Sequence, residues 1–107
     1  MDDDFRFQLV LQLPGTTQQD FDVLISLEES LADALDATPH EVDGHDFGSG
    51  TGNIFIHTND PIGAFDLTRK VFSLTDYPML KAAYRSFEEN DYTLIWPENS
   101  QEPFNLM

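Results

Sequence analysis

Residues 42–61, Val-Asp-Gly-His-Asp-Phe-Gly-Ser-Gly-Thr-Gly-Asn-Ile-Phe-Ile-His-Thr-Asn-Asp-Pro, constrain the fold more than any other stretch. Glycines at 48, 50 and 52 supply the positive φ or the bulge that a tight reversal needs. Asn53–Thr58 is rich in β-branched and aromatic residues, the composition of a strand. His40–Phe47 reads as a shorter strand with an irregular tip, so the two pair as an antiparallel hairpin with Gly48–Gly52 as its loop. Thr58-Asn59-Asp60-Pro61 then starts a helix, with Asp60 or Asn59 as cap and Pro61 in the first turn. A strand pair that feeds directly into a helix restricts the chain to mixed α and β architectures.

The flanking segments complete that pattern. Phe5, Phe7, Leu9, Leu11 and Leu13 alternate with Arg6, Gln8, Val10 and Gln12, which predicts a strand with one buried face, ended by Pro14-Gly15. Residues 18–37 read as a helix capped by Thr17, with Asp20 and Asp22 where the dipole favours acids. Its apolar stripe is Phe21, Leu24, Leu27, Leu31 and Leu35. Asp22, Glu29, Asp33 and Asp36 gather on another face, and Asp36 sits where the dipole disfavours it. Glu28 falls on the apolar side, either as a stem that snorkels at the boundary or as a buried carboxylate with a raised pKa. Thr38-Pro39 breaks the helix.

A second helix is predicted over residues 61–73, with Ala64, Phe65, Leu67, Thr68, Val71, Phe72 and Leu74 on its apolar side. Thr75-Asp76-Tyr77-Pro78 interrupts it. It resumes over 78–89, where Met79, Leu80, Ala83, Tyr84 and Phe87 recur at helical spacing. Tyr92–Trp96 is the last strand, and residues 98–107 are a polar tail whose Phe104 and Leu106 are placed to pack back. Asp2–Asp4 form a frayed acidic lead. The expected fold is α+β: a ferredoxin-like β-α-β-β-α-β chain with a four-stranded antiparallel sheet and helices on one face, its second helical part broken near Pro78. The first and third strands are then central and parallel. With Ile54 and Ile56 toward the helices, Phe55 and His57 join Arg6, Gln8, Val10 and Gln12 on an open face.

At 107 residues the chain is one domain, residues 1–107, and without cysteine it has no disulfide or thiolate site. The opening Met-Asp-Asp-Asp-Phe lacks a basic n-region, and no apolar run approaches the roughly 20 residues of a membrane span. The expectation is a cytoplasmic protein that does not engage membrane. Twenty acidic residues against five basic ones give a formal charge of −15. That field repels nucleic-acid phosphate and draws in a basic protein, and it also serves plain solubility.

His40, Asp43, His45, Asp46 and His57 are metal-ligand types, and His45 and His57 could face each other across the hairpin. They lack any HExxH or facial-triad spacing, so no metal or cofactor is expected. The run Gly48-Ser49-Gly50-Thr51-Gly52 leads into a strand and carries no basic residue, unlike a phosphate loop. Ser49 has no fixed base beside it, so no catalytic residue is assigned and enzymatic activity stays open.

Asp43-Gly44, Gly48-Ser49-Gly50, Asn53-Ile54-Phe55-Ile56, Thr58 and Asp60-Pro61 together resemble a pattern of small bacterial ferredoxin-like proteins, some of immunity type. The resemblance implies a non-enzymatic role and carries over no catalytic residue. The leading expectation is an acidic protein-interaction module, an immunity or inhibitor protein for a basic partner. Its binding residues would be Asp22, Glu29, Asp33, Asp36, Asp43, His45, Asp46 and Ser49, with Phe55 and His57 on the sheet face. One alternative is a small-molecule-binding domain or enzyme with a pocket between the hairpin and Asp60-Pro61, where Glu28 or His57 titrates. Another is a homodimer through the open sheet face.

Overall fold

A computed structural model describes residues 5–71, 73, 76–97 and 104. The chain order is β1 (Phe7–Pro14), α1 (Gln18–Leu35), β2 (Glu41–Gly48), β3 (Thr51–Thr58), α2 (Pro61–Val71), β4 (Lys81–Ser86) and β5 (Thr93–Trp96). The acidic lead at 2–4, Phe72, Leu74, Thr75 and the tail at 98–107 apart from Phe104 lie outside the described residues.

Both helices begin as their side chains dictate. Thr17 Oγ1 accepts the Asp20 N–H at 3.1 Å, and Asp20 Oδ2 accepts from the Thr16 and Thr17 amides at 2.9 and 3.2 Å. This is a reciprocal capping box. Those amide bonds hold the Asp20 carboxyl below the usual carboxylate range. At α2, Asp60 Oδ1 accepts the Gly63 N–H at 3.0 Å. Gly63 leaves room for that carboxylate, since a Cβ there would collide with it. The hairpin between β2 and β3 turns through two residues, not five. Ser49 at φ 55° and Gly50 at φ 88° lie between the paired residues Gly48 and Thr51, as in a type I′ turn.

The core lies between the helices and one sheet face. Leu24, Leu27, Leu31 and Leu35 of α1 and Ala64 and Phe65 of α2 pack on Leu9, Leu11, Ile54, Ile56 and Ala82. Each fully buried leucine contributes roughly 1.5–3 kcal/mol.

Three parts of the ferredoxin-like expectation fail. The sheet has five strands in the order β2-β3-β1-β4-β5. β1 pairs antiparallel with both β3 and β4, so the first and third strands are neighbours but not parallel. Residues 78–89 are not helical: Lys81–Ser86 is the strand β4. Met79, an apolar position of the expected helix, is 65% exposed, whereas Ala82 and Ala83 are both fully buried. Adjacent burial on opposite sides is a strand pattern, and here β1 supplies the partner, Ala82 beside Leu11 and Ala83 beside Val10.

The second sheet face is less open than expected. Register places Gln8 beside His57, Val10 beside Phe55 and Gln12 beside Asn53 on it. Val10, Ala83 and Asn53 are nevertheless buried, and Gln12 Nε2 donates to Asn53 Oδ1 at 3.0 Å. Tyr92 OH donates to Gln8 Oε1 at 3.1 Å, and the Phe104 ring packs 5.2 Å from the Tyr92 ring. The late aromatic therefore does return to the sheet.

Candidate functional site

The three histidines occupy three separate places. His45 points to the helix side of β2, where Nδ1 lies 2.9 Å from Glu28 Oε1 and the ring meets Phe21 edge-on. Glu28 is neither a free snorkelling stem nor a lone buried acid: its side chain is 18% exposed and paired to His45. His57 lies on the other sheet face, with Nε2 3.6 Å from Asp43 Oδ2 and its ring between Phe5 and Phe87. His45 and His57 thus flank opposite faces and do not meet. Among the described residues no three His, Asp or Glu side chains converge on a metal-sized centre.

His40 sits at the end of the sheet where β2 begins and β3 ends. Asp60 N–H donates to Thr58 Oγ1 at 2.8 Å, and Thr58 Oγ1 lies 2.7 Å from His40 Nδ1. Thr58 is fully buried, so its single proton goes to the acceptor within reach. A hydroxyl that donates to Nδ1 places the ring proton on Nε2. Burial pushes the His40 pKa down, partly opposed by the Asp60 carboxylate.

His40 forms part of the wall of an open cleft of about 630 Å³. Phe5, Leu35 and Val42 give the cleft apolar walls, and Asp36 and Glu41 also line it. The cleft lies at the C-terminal end of α1, a helix with no basic residue in its last turn and with Asp36 as its C-cap. Its negative dipole end is therefore uncompensated within the helix. The chain leaves α1 through a turn in which Thr38 N–H donates to Leu35 O at 3.0 Å, with Ala37 at φ 67°.

The acids singled out in the sequence divide between α1 and β2. Asp22, Glu29, Asp33 and Asp36 are exposed on α1, and Asp43 and Asp46 are exposed on β2, the edge strand beside it. Asp22 accepts from Gln18 Nε2 at 3.0 Å. Glu29, Asp33, Asp36, Glu41 and Asp46 have no cationic partner among the described residues. Two of the three arginines turn elsewhere. Arg69 lies over Phe65 and Trp96, and Arg85 lies over Phe87 and Tyr92 while donating to Glu89 O at 3.0 Å.

Ser49 is an exposed turn residue, and Phe55 is half-buried on the second sheet face. The hairpin tip and the Asp60-Pro61 helix start stand at opposite ends of the eight-residue β3, so one pocket does not span both. Sequence reasoning missed Phe5, Glu41 and His40 as neighbours of Asp36. The available signal was the Thr38-Pro39 break, which brings the chain back beside the helix end it has just left.

A scan against protein-family models matched none, and comparisons with curated proteins and with solved structures returned no similar protein.

Proposed function

We propose that this chain is a binding module whose partner is a basic protein, met along the side formed by α1 and β2. The observation that carries this is a set of carboxylates without cationic partners among the described residues, in a chain of charge −15 where Arg69 and Arg85 lie over aromatic rings. A surface so arranged repels itself and gains from a partner that supplies the missing positive charge. An inhibitor or immunity protein that covers a basic protein is the simplest form of such a module. The hairpin acts in it as scaffold: its tip is a turn, and its strand β2 carries Asp43 and Asp46.

Titration with poly-lysine at two ionic strengths tests the proposal. Affinity falls steeply as salt rises from about 0.05 to about 0.2 M, because exposed pairs are screened. The triple variant Asp22→Asn, Glu29→Gln, Asp33→Asn binds more weakly at low salt. Affinity that ignores both salt and the triple variant overturns the reading.

A further inference from the structure

The cleft at the C-terminal end of α1 has a chemistry more specific than the acidic surface around it. It joins three features. Asp36 and Glu41 line it with carboxylates that have no cationic partner among the described residues. The helix end that opens on it carries negative partial charge and no basic side chain to offset it. Beside them stands His40, only 8% exposed, whose Nδ1 is taken by Thr58. Its Nε2 has no partner among the described residues. His40 is one of the residues that line the cleft.

We infer that this cleft receives a lysine or arginine side chain of the basic partner, with His40 Nε2–H donating to a main-chain carbonyl of the same segment. The apolar walls from Phe5, Leu35 and Val42 accept the aliphatic stem. Asp36, Glu41 and the helix end meet the cationic head. With the Thr58 hydroxyl donating to Nδ1, the neutral imidazole carries its proton on Nε2 and is a donor there. It therefore asks for an acceptor, which an alkylammonium does not offer and a peptide carbonyl does. The inference rests on the binding role proposed above and assigns it an anchoring pocket.

The test uses small probes followed by NMR on the full chain: N-acetyl-lysine-N-methylamide, its norleucine analogue and n-butylamine. The lysine amide shifts the resonances of His40, Asp36 and Glu41. The norleucine analogue, without the ammonium, binds at least about tenfold more weakly, as loss of a charge-assisted contact implies. Butylamine, without the carbonyl, binds weaker by roughly two- to tenfold, the range of one hydrogen bond. The double variant Asp36→Asn, Glu41→Gln abolishes the lysine-amide shifts and leaves the amide spectrum otherwise folded. In His40→Phe, which has no side-chain donor, butylamine and the lysine amide bind alike. If the lysine amide leaves the cleft resonances unmoved, or norleucine binds as well, the pocket assignment is overturned. Poly-lysine binding that persists in that case keeps the wider acidic-surface reading, and its loss removes both.

Discussion

Ala37 holds a conformation that an alanine does not favour. Asp36 at φ −59°, ψ 138° and Ala37 at φ 67°, closed by the Thr38-to-Leu35 bond, make a type II turn whose third position normally takes glycine. A Cβ in the left-handed region costs roughly 1–2 kcal/mol, and glycine gives back part of that as unfolded-state entropy. Ala37→Gly is therefore expected to raise unfolding stability by about 1 kcal/mol, read as a higher urea midpoint at unchanged slope. A lower midpoint would show that the turn is not the strained one. His40 makes the second argument at this scale. Its folded-state pKa is lowered by burial, so the unfolded chain takes up a proton first as pH falls. The neutral ring costs nothing above the ordinary histidine pKa of about 6.5. Stability declines as pH drops through that value and levels off below the lowered folded pKa. Comparing urea midpoints at pH 7.5 and pH 5.5 isolates this: the wild-type loss exceeds that of His40→Gln, and equal losses contradict it. The carboxylates near the ring, Asp60, Asp36 and Glu41, are present in both proteins, so the comparison isolates the imidazole.

At the scale of elements, strong local signals were legible and weak ones were not. The period-two run of β1, the leucine stripe of α1, the capping residues Thr17 and Asp60 and the β-branched run of β3 all declare themselves, because each is decided by neighbours in sequence. β4 is decided by β1. Lys-Ala-Ala-Tyr-Arg-Ser has helix-forming alanines and a spacing that imitates an apolar helical face. What overrides this is a slot beside β1, filled on both faces, where only a small side chain fits at 82 and 83. The missing strand also explains the wrong sheet order, since β4 takes the place beside β1 and carries β5 outward. The cleft was hidden for a related reason: Phe5, the stretch from Asp36 to His40, and Asn59 come from three segments, and their meeting follows from topology rather than spacing. The two-faced burial of β4 is testable. Ala82→Leu and Ala83→Leu each overpack a filled face, at about 1–3 kcal/mol apiece. A helix over 78–89 with Ala82 on its wet side would tolerate the first substitution, so a harmless Ala82→Leu in chemical denaturation would restore that helix.

The whole molecule measures 37 × 30 × 23 Å and carries a formal charge of −15. Those two quantities make folding and binding respond oppositely to salt. At about 0.01 M ionic strength the Debye length is roughly 30 Å, so every carboxylate senses the others across the fold; at about 0.15 M it shrinks to roughly 8 Å and only neighbours interact. The unfolded chain spreads the same charges over a larger volume, so low salt penalises the folded state more. Moderate sodium chloride should therefore raise the thermal midpoint of the free protein, while the same addition weakens its hold on poly-lysine. A chain whose acids were paired internally would show the reverse for folding, because salt would screen attractions. The pattern of partners decides between the two: Glu28 and Asp43 find histidines, but Glu29, Asp33, Asp36, Glu41 and Asp46 find no cation among the described residues. Repulsion is thus the dominant long-range term, and a basic partner relieves it in the way added salt does, at short range and with direction. A midpoint that falls between low and moderate salt would mean that the acids are satisfied within the fold, and would remove the physical reason for a basic partner.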